Sequence, residues 1–304
     1  MKSIKILTFG NSYSNDAYEW LYPIFKSAGY DDVVLGHVLN GGCNINNHWS
    51  NVDGDTENDF GAAYCEIYNG KRLPELNREK MPLRDMYVHA VSAHEWDYVV
   101  IQHGPKHVEI RDTYSHLRDF LDFIKAHLKS DKTKFLYQMI WKYNDNVAGG
   151  STAAVYEDIV DITKNIILSE PEFSGVIPAA TMRQNIMSSY LCDKDISRDY
   201  GHMSLGLGRY ALGLLWYTYI SGGKIEDVSY VPTLADVRPA LLEKYKFDGV
   251  SPEYMPIVKE AIENALEKPY TITPSRFVSL DKADTADGGD INERIAAVGG
   301  EQVE

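Results

Sequence analysis

Cysteine is scarce in this chain: Cys43, Cys65 and Cys192 are the only three among 304 residues. The number is odd, the spacings are wide and no CxxC pair occurs, which argues against a disulfide framework or a zinc knuckle. Free thiols fit a reducing compartment. Basic residues are also in deficit, with 30 Lys and Arg against 44 Asp and Glu and a net charge of −14. Such a surface repels phosphate backbones and anionic headgroups, so nucleic acid and membrane surfaces are poor partners. Long apolar runs are missing too. The most apolar stretch, 205–220, contains Arg209 and falls short of the roughly 18 residues a membrane span needs. The first apolar run is too short for a signal-peptide core and ends in Gly10-Asn11-Ser12. The expectation is a soluble protein, cytoplasmic as written or secreted had a leader been removed.

What the chain does have is alternation. Strand-like runs fall at 4–9, 33–39, 98–102, 135–140 and 175–178, and the third contains Val99-Val100-Ile101, apolar on both faces. Such runs suit parallel strands covered on both sides. Helical patterns fall between them at about 16–28, 81–95, 112–129, 152–169 and 180–190. In the third, Leu117, Phe120, Leu121, Ile124 and Leu128 follow a helix period, with Arg118, Asp119, Lys125 and Lys129 opposite. This order predicts an α/β fold, a three-layer α/β/α sandwich on a parallel five-stranded sheet. Residues 40–80 are rich in Asn, Gly and Asp and read as an insertion carrying a small helix. A buried helix is expected from 204 to about 222 and an amphipathic one over 252–268. One domain covers 1–270, and 271–304 read as an extension that is partly disordered.

Two short motifs carry chemistry. Gly10-Asn11-Ser12 stands where the first strand should end and a helix begin. Ligands of parallel α/β sheets bind at the carboxyl ends of strands, and a serine there projects above the sheet. Read alone, the tripeptide is a turn with Ser12 capping a helix. Asp199-Tyr200-Gly201-His202 precedes the buried helix, which Ser204 should cap. An imidazole can take a serine proton, and a carboxylate three residues earlier can orient it. Read alone, this is an ordinary loop pair.

Together, a strand followed by Gly-Asn-Ser near the start and Asp-x-x-His far along an α/β chain resemble the SGNH (GDSL-type) hydrolase superfamily, over roughly residues 4–222. The resemblance implies a flavodoxin-like sheet and a serine esterase needing no cofactor and no metal. By it, Ser12 is the nucleophile, and Asp199 and His202 are acid and base. It implies an oxyanion hole from the amides of Ser12 and Gly42, with Gly41 the alternative to Gly42. Most members offer Gly-x-Asn-Asp after the third strand, with Asn donating to the oxyanion. Here that strand ends Ile101-Gln102-His103-Gly104-Pro105. Gln102 carries the same amide on a longer arm and is the expected third donor. The departure is similar to an uncharacterised branch with Gly-Asn-Ser and a third-strand Gln. The implied substrate is a small-acyl ester, acetyl on carbohydrate being the model.

Asn11, Trp49, Trp141 and Tyr143 are the expected substrate contacts, the aromatic ones because they follow strands two and four, whose loops should face Ser12. Other signals are weaker. Gly206-x-Gly208-x-x-Ala211 matches a dinucleotide fingerprint but lies inside a helix pattern, where it fits close packing. Residues 53–59 hint at calcium but lack the required Gly and Glu. His103 and His107 are separated by Pro105, which opposes one shared helical face. Cys43, beside the oxyanion glycine, reads as a small space-filler. The rival functions are a thioesterase or lysophospholipase on the same triad, and a non-catalytic carbohydrate-binding relative. No oligomeric state is legible.

Overall fold

Strands that are apolar on both faces end up in the middle of the sheet. In β4 (Tyr98–Gln102), every residue after the first is buried, and β1 (Ser3–Gly10) is buried from Phe9 back to Ile6. The computed structural model describes residues 1–53, 64–71, 82–143, 152–199 and 201–278. Within them β1 pairs in parallel with β2 (Asp32–Leu39) and with β4, and β4 with β5 (Lys134–Gln138). β5 pairs in parallel with β6 (Phe173–Ile177). One further strand, β3 (Tyr64–Tyr68), runs antiparallel to β2. The sheet order is β3-β2-β1-β4-β5-β6.

Helices cover both faces. On one side α1 (Ser12–Tyr18) and α2 (Leu21–Ser27) lie over β1 and β2 and pack against the C-terminal part of the chain. On the other, α3 (Ile45–Asp53), α4 (Leu83–Ser92) and α5 (Leu117–His127) pack on one another around Phe9, whose ring meets those of Tyr87 and Phe120. α6 (Thr152–Ile162) leads to β6, followed by α7 (Ala179–Met187) and the short α8 (Asp193–Ile196). α9 (Leu207–Ser221) is buried nearly throughout and contacts α1, α2 and β6. The short α10 (Pro239–Leu242) and then α11 (Met255–Glu267) complete the order, α11 packing on α7.

The five expected strands occur where the pattern put them, but the sheet is six-stranded and mixed, not five-stranded and parallel. β3 escaped notice because an edge strand of five residues with Glu66 at its centre has only alternating burial. The insertion at 40–80 therefore supplies a strand as well as the expected small helix, α3. The helix expected over 16–28 is two: α1 begins earlier, at Ser12, and the chain breaks at Trp20, whose indole N–H donates to Leu205 O at 3.1 Å. Residues 271–278 of the C-terminal extension dock on the domain, with Thr273 N donating to Asn185 Oδ1 at 2.7 Å and Tyr190 N to Phe277 O at 2.9 Å. The remainder, 279–304, lies outside the described residues, as do positions 54–59 of the calcium-like stretch.

α9 starts close to its neighbours. A Cβ on Gly208 would run into the Ile196 carbonyl, so the glycines of the fingerprint-like stretch serve close packing. The N-cap is Gly206, and Ser204, expected in that role, serves the first turn from two residues earlier, its Oγ accepting from Gly208 N at 2.8 Å. A remote carboxylate completes the cap: Asp248 accepts from Ser204 Oγ (2.6 Å), Gly206 N (2.7 Å) and Leu207 N (3.1 Å). Losing a cap of this kind costs about 1–2 kcal/mol. We predict that Asp248→Ala lowers the unfolding free energy in urea by that amount, with the slope unchanged; an unchanged midpoint would show that the cap is dispensable.

Candidate active site

The site is built from the turn at the end of β1 outward. Asn11 has extended backbone and caps α1, its Oδ1 accepting from Tyr13 N at 3.0 Å. Its Nδ2 donates to Cys43 O (2.9 Å) and His103 O (3.0 Å). These bonds leave no freedom to exchange the amide's oxygen and nitrogen, so the remaining partner of Oδ1 is a donor, Gln102 Nε2 at 2.6 Å. One fully buried asparagine thus ties together the chain after β1, β2 and β4. Asn11, expected to touch substrate, holds the turn instead, because every polar atom of its side chain is spent on the protein. The expected oxyanion donor Gln102 is likewise turned onto Asn11, and its Oε1 is buried without a partner among the described residues.

Ser12 follows as the first residue of α1, where a backbone N–H has no intrahelical acceptor. Its Oγ lies 2.7 Å from His202 Nε2. On the other side of the ring, Nδ1 lies 2.9 Å from both Asp199 oxygens. A carboxylate only accepts, so in the neutral ring the proton belongs on Nδ1 and Nε2 is left to accept from Ser12. Asp199 Oδ1 also accepts from Gly201 N (3.1 Å) and His202 N (2.9 Å), which closes the loop tightly. Burial would push the Asp199 carboxyl up. Hydrogen bonds from the His202 side chain and backbone, with the charges of His202 and Arg198, outweigh it and hold the group below the usual carboxylate range.

The loop is also packed from beneath. Tyr13 lies edge-on to His202 at 5.1 Å and is stacked on Trp141 at 4.8 Å. Trp141 donates its indole N–H to Gly201 O at 2.7 Å. A side chain at 201 would strike the Tyr13 hydroxyl and come within 3.0 Å of Tyr143, so only glycine fits there. Trp141, expected to contact substrate, is a fully buried support. Its stacking partner and its hydrogen bond could not be read from its place after a strand. Tyr143 does flank the triad, half-buried and 6.0 Å from His202, with Lys106 Nζ 5.8 Å from its ring. Trp49 is half-buried and stacks on His116, not on a triad residue.

Gly42 is exposed with φ +68°, a left-handed conformation that favours glycine, in the turn closed by Cys43 N donating to Asn40 O at 3.2 Å. Gly41 is exposed beside it. The turn is fixed against the Gly10-Asn11-Ser12 segment by Asn40 N donating to Gly10 O at 2.9 Å and by the bond from Asn11 to Cys43 O. Cys43 Sγ lies 2.9 Å from His48 Nε2, whose Nδ1 meets Tyr87 Oη at 2.7 Å. Burial pushes the thiol up and holds the imidazole down to about 3, so the pair is neutral. His103 is buried and meets Thr113 Oγ1 at 2.9 Å. Among the described residues no group of three or more His, Cys, Asp or Glu is arranged to hold a metal ion. No helix among them is long and apolar enough to cross a membrane.

Three residues that sequence reasoning passed over frame the triad: Asp16, Arg198 and Arg209. Asp16 Oδ1 accepts from Arg198 (2.7 Å) and Arg209 Nε (2.8 Å), and Oδ2 accepts from Met203 N (2.8 Å). Arg209 was visible as a lone charge in an apolar stretch, and a buried charge demands a partner. Nothing local names Asp16 as that partner.

Comparison with known proteins agrees with this architecture. A family model described as "Domain of unknown function (DUF4886)" matches residues 5–246. The chain belongs to the DUF4886 family. A crystal structure of a DUF4886 family protein from Bacteroides uniformis has a TM-score of 0.75 at 22% identity, covering 91% of this chain and 100% of that one. At that identity the likeness shows the fold alone. No curated protein matches the chain. The DUF4886 match takes in Ser12, the turn at 40–43, Asp199 and His202 together.

Because the folded-state value of Asp199 is lowered, its contribution to stability is complete above the ordinary carboxylate value and is lost as pH falls through the lowered one. We predict that between about pH 5 and pH 2 the wild type loses urea resistance more steeply than Asp199→Asn. Parallel pH dependences would show that the carboxylate is not held by its neighbours.

Proposed function

We propose that this chain is a serine esterase of the SGNH type that hydrolyses small-acyl esters through an acyl-serine. The observation that carries the reading is the Ser12–His202–Asp199 chain of contacts, 2.7 Å at the hydroxyl and 2.9 Å at the carboxylate. The parallel strands in the order β2-β1-β4-β5-β6 also support it, being the flavodoxin-like arrangement that the resemblance implies. His202 Nε2 takes the Ser12 proton as Oγ attacks the ester carbonyl. The Ser12 and Gly42 amides receive the oxyanion. His202 gives the proton to the departing alcohol, then activates water against the acyl-serine, while Asp199 holds the imidazolium. Gln102 serves this scheme through Asn11, which fixes the nucleophile turn. Tyr143, with Lys106 over its ring, gives the mouth a polar flank that suits a short acyl group on a polar alcohol such as a sugar.

The test is turnover of p-nitrophenyl acetate against the octanoate. We expect the acetate to be preferred. Ser12→Ala and His202→Ala should each lower kcat by about 10³-fold or more with the fold intact by circular dichroism. A fluorophosphonate should add to Ser12 alone by mass spectrometry. Undiminished hydrolysis by Ser12→Ala would end this assignment.

A further inference from the structure

The acid and base of the triad share one small loop, and that loop has a built foundation. Ser197 and Met203 form an antiparallel bridge, with Arg198 N donating to His202 O at 3.0 Å and Ser204 N to Ile196 O at 2.8 Å. Asp199 and His202 stand at its tip. The nucleophile lies on a different element, the first turn of α1, 190 positions earlier in the chain. The 2.7 Å contact between them therefore depends on how the loop is fixed to α1, and backbone geometry within either piece cannot set it.

Asp16 is the polar group that makes this connection. It stands one turn after Ser12 on the same helix, with no side-chain surface in solvent. Oδ2 accepts from Met203 N, the residue next to His202, at 2.8 Å. Oδ1 accepts from Arg198, the residue next to Asp199, at 2.7 Å, and the same guanidinium donates to Met203 O. Arg209, at the start of α9, closes the group from behind at 2.8 Å with its side chain 1% exposed. Both residues flanking the acid–base pair are thus anchored to one carboxylate. Arg209 also reaches Glu19, which Arg238 engages from the surface, so the helix has a second ion pair that touches no part of the loop.

We propose that Asp16, with Arg198, is a positioning residue that sets the Ser12–His202 distance by clamping the base loop to the nucleophile helix. This rests on the esterase reading for its catalytic consequence but not for its structural one. A carboxylate buried only to join two helices would tolerate change without moving the imidazole; this clamp would not. Displacement of the base by about 1 Å can cost about 10²-fold in rate.

The experiment compares Asp16→Asn, Arg198→Met and Arg238→Met. Arg198→Met keeps the Asp16–Arg209 pair and serves where Asp16→Asn fails to fold. Arg238→Met removes an ion pair from the same helix away from the loop. We expect kcat for p-nitrophenyl acetate to fall about 10²-fold in Asp16→Asn and about 10-fold in Arg198→Met, with KM unchanged. Fluorophosphonate labelling of Ser12 should slow in parallel, and Arg238→Met should match the wild type. The second readout is the downfield proton resonance of the His202 Nδ1–H bonded to Asp199, which should broaden or shift in the clamp variants and persist in Arg238→Met. Wild-type kcat and an unmoved resonance in a folded Arg198→Met would overturn the proposal, as would equal losses in Arg238→Met. If the wild type neither turns over ester nor takes the label, the esterase reading fails, and the resonance alone decides the clamp.

Discussion

A carboxylate with no surface in water, Asp16, lies between two guanidinium groups and a backbone amide, and the two halves of the candidate site meet across it. Burying a charge is costly unless partners replace the lost water, and here they reach α1 from the loop carrying Asp199 and His202 and from α9. Those elements could not shift independently without exposing an unpaired charge in the interior. A second tie of the same kind is neutral: Asn11 joins the ends of β1 and β4 and the turn after β2 through four hydrogen bonds. The ionic tie fixes the loop that carries Asp199 and His202, and the amide tie fixes the turn that carries Ser12.

Among the described residues, His37, His48 and His202 each stand beside a serine hydroxyl or a cysteine thiol, and their surroundings separate them. His37 Nε2 is 2.8 Å from Ser14 Oγ and His48 Nε2 is 2.9 Å from Cys43 Sγ. Both rings are fully enclosed, and burial chiefly holds each down to about 3, His37 also through the positive neighbours around it. Ser14 Oγ donates to Asn11 O at 2.7 Å, so its proton is already committed. On its far side His48 faces the Tyr87 hydroxyl, and the His37 ring stacks on Tyr18. His202 combines a hydroxyl, a bonded carboxylate and partial access to solvent, its side chain being 20% exposed. The distances from nitrogen to oxygen or sulfur, 2.8, 2.9 and 2.7 Å, do not separate the three rings; their surroundings and their access to solvent do.

How much of this was legible in the sequence depends on the range of each interaction. Ser12 and the Asp199–His202 pair stood out because each sits in a compact motif at a predictable place on an α/β sheet. The five parallel strands were legible because burial on both faces leaves continuous apolar runs. β3 was not, since an edge strand shows one buried face and few residues. The destinations of Gln102, Asn11 and Trp141 were misjudged for a common reason. Each sits at the end of a strand where substrate contact is reasonable, yet a neighbour from another part of the chain takes its polar atoms. Arg209 gave a signal, a charge in an apolar stretch, but its partner Asp16 lies 193 residues away and no local pattern connects them.

β3 also has a meaning beyond its place in the topology. Without it, β2 would present eight residues of unpaired backbone at the margin of a rigid sheet, an open template for another chain to extend. With it, the outermost strand on that side is five residues long and carries Glu66 at its centre. A stretch with little apolar periodicity thus guards the molecule against templated self-association, and its acidic, interrupted composition suits that defence.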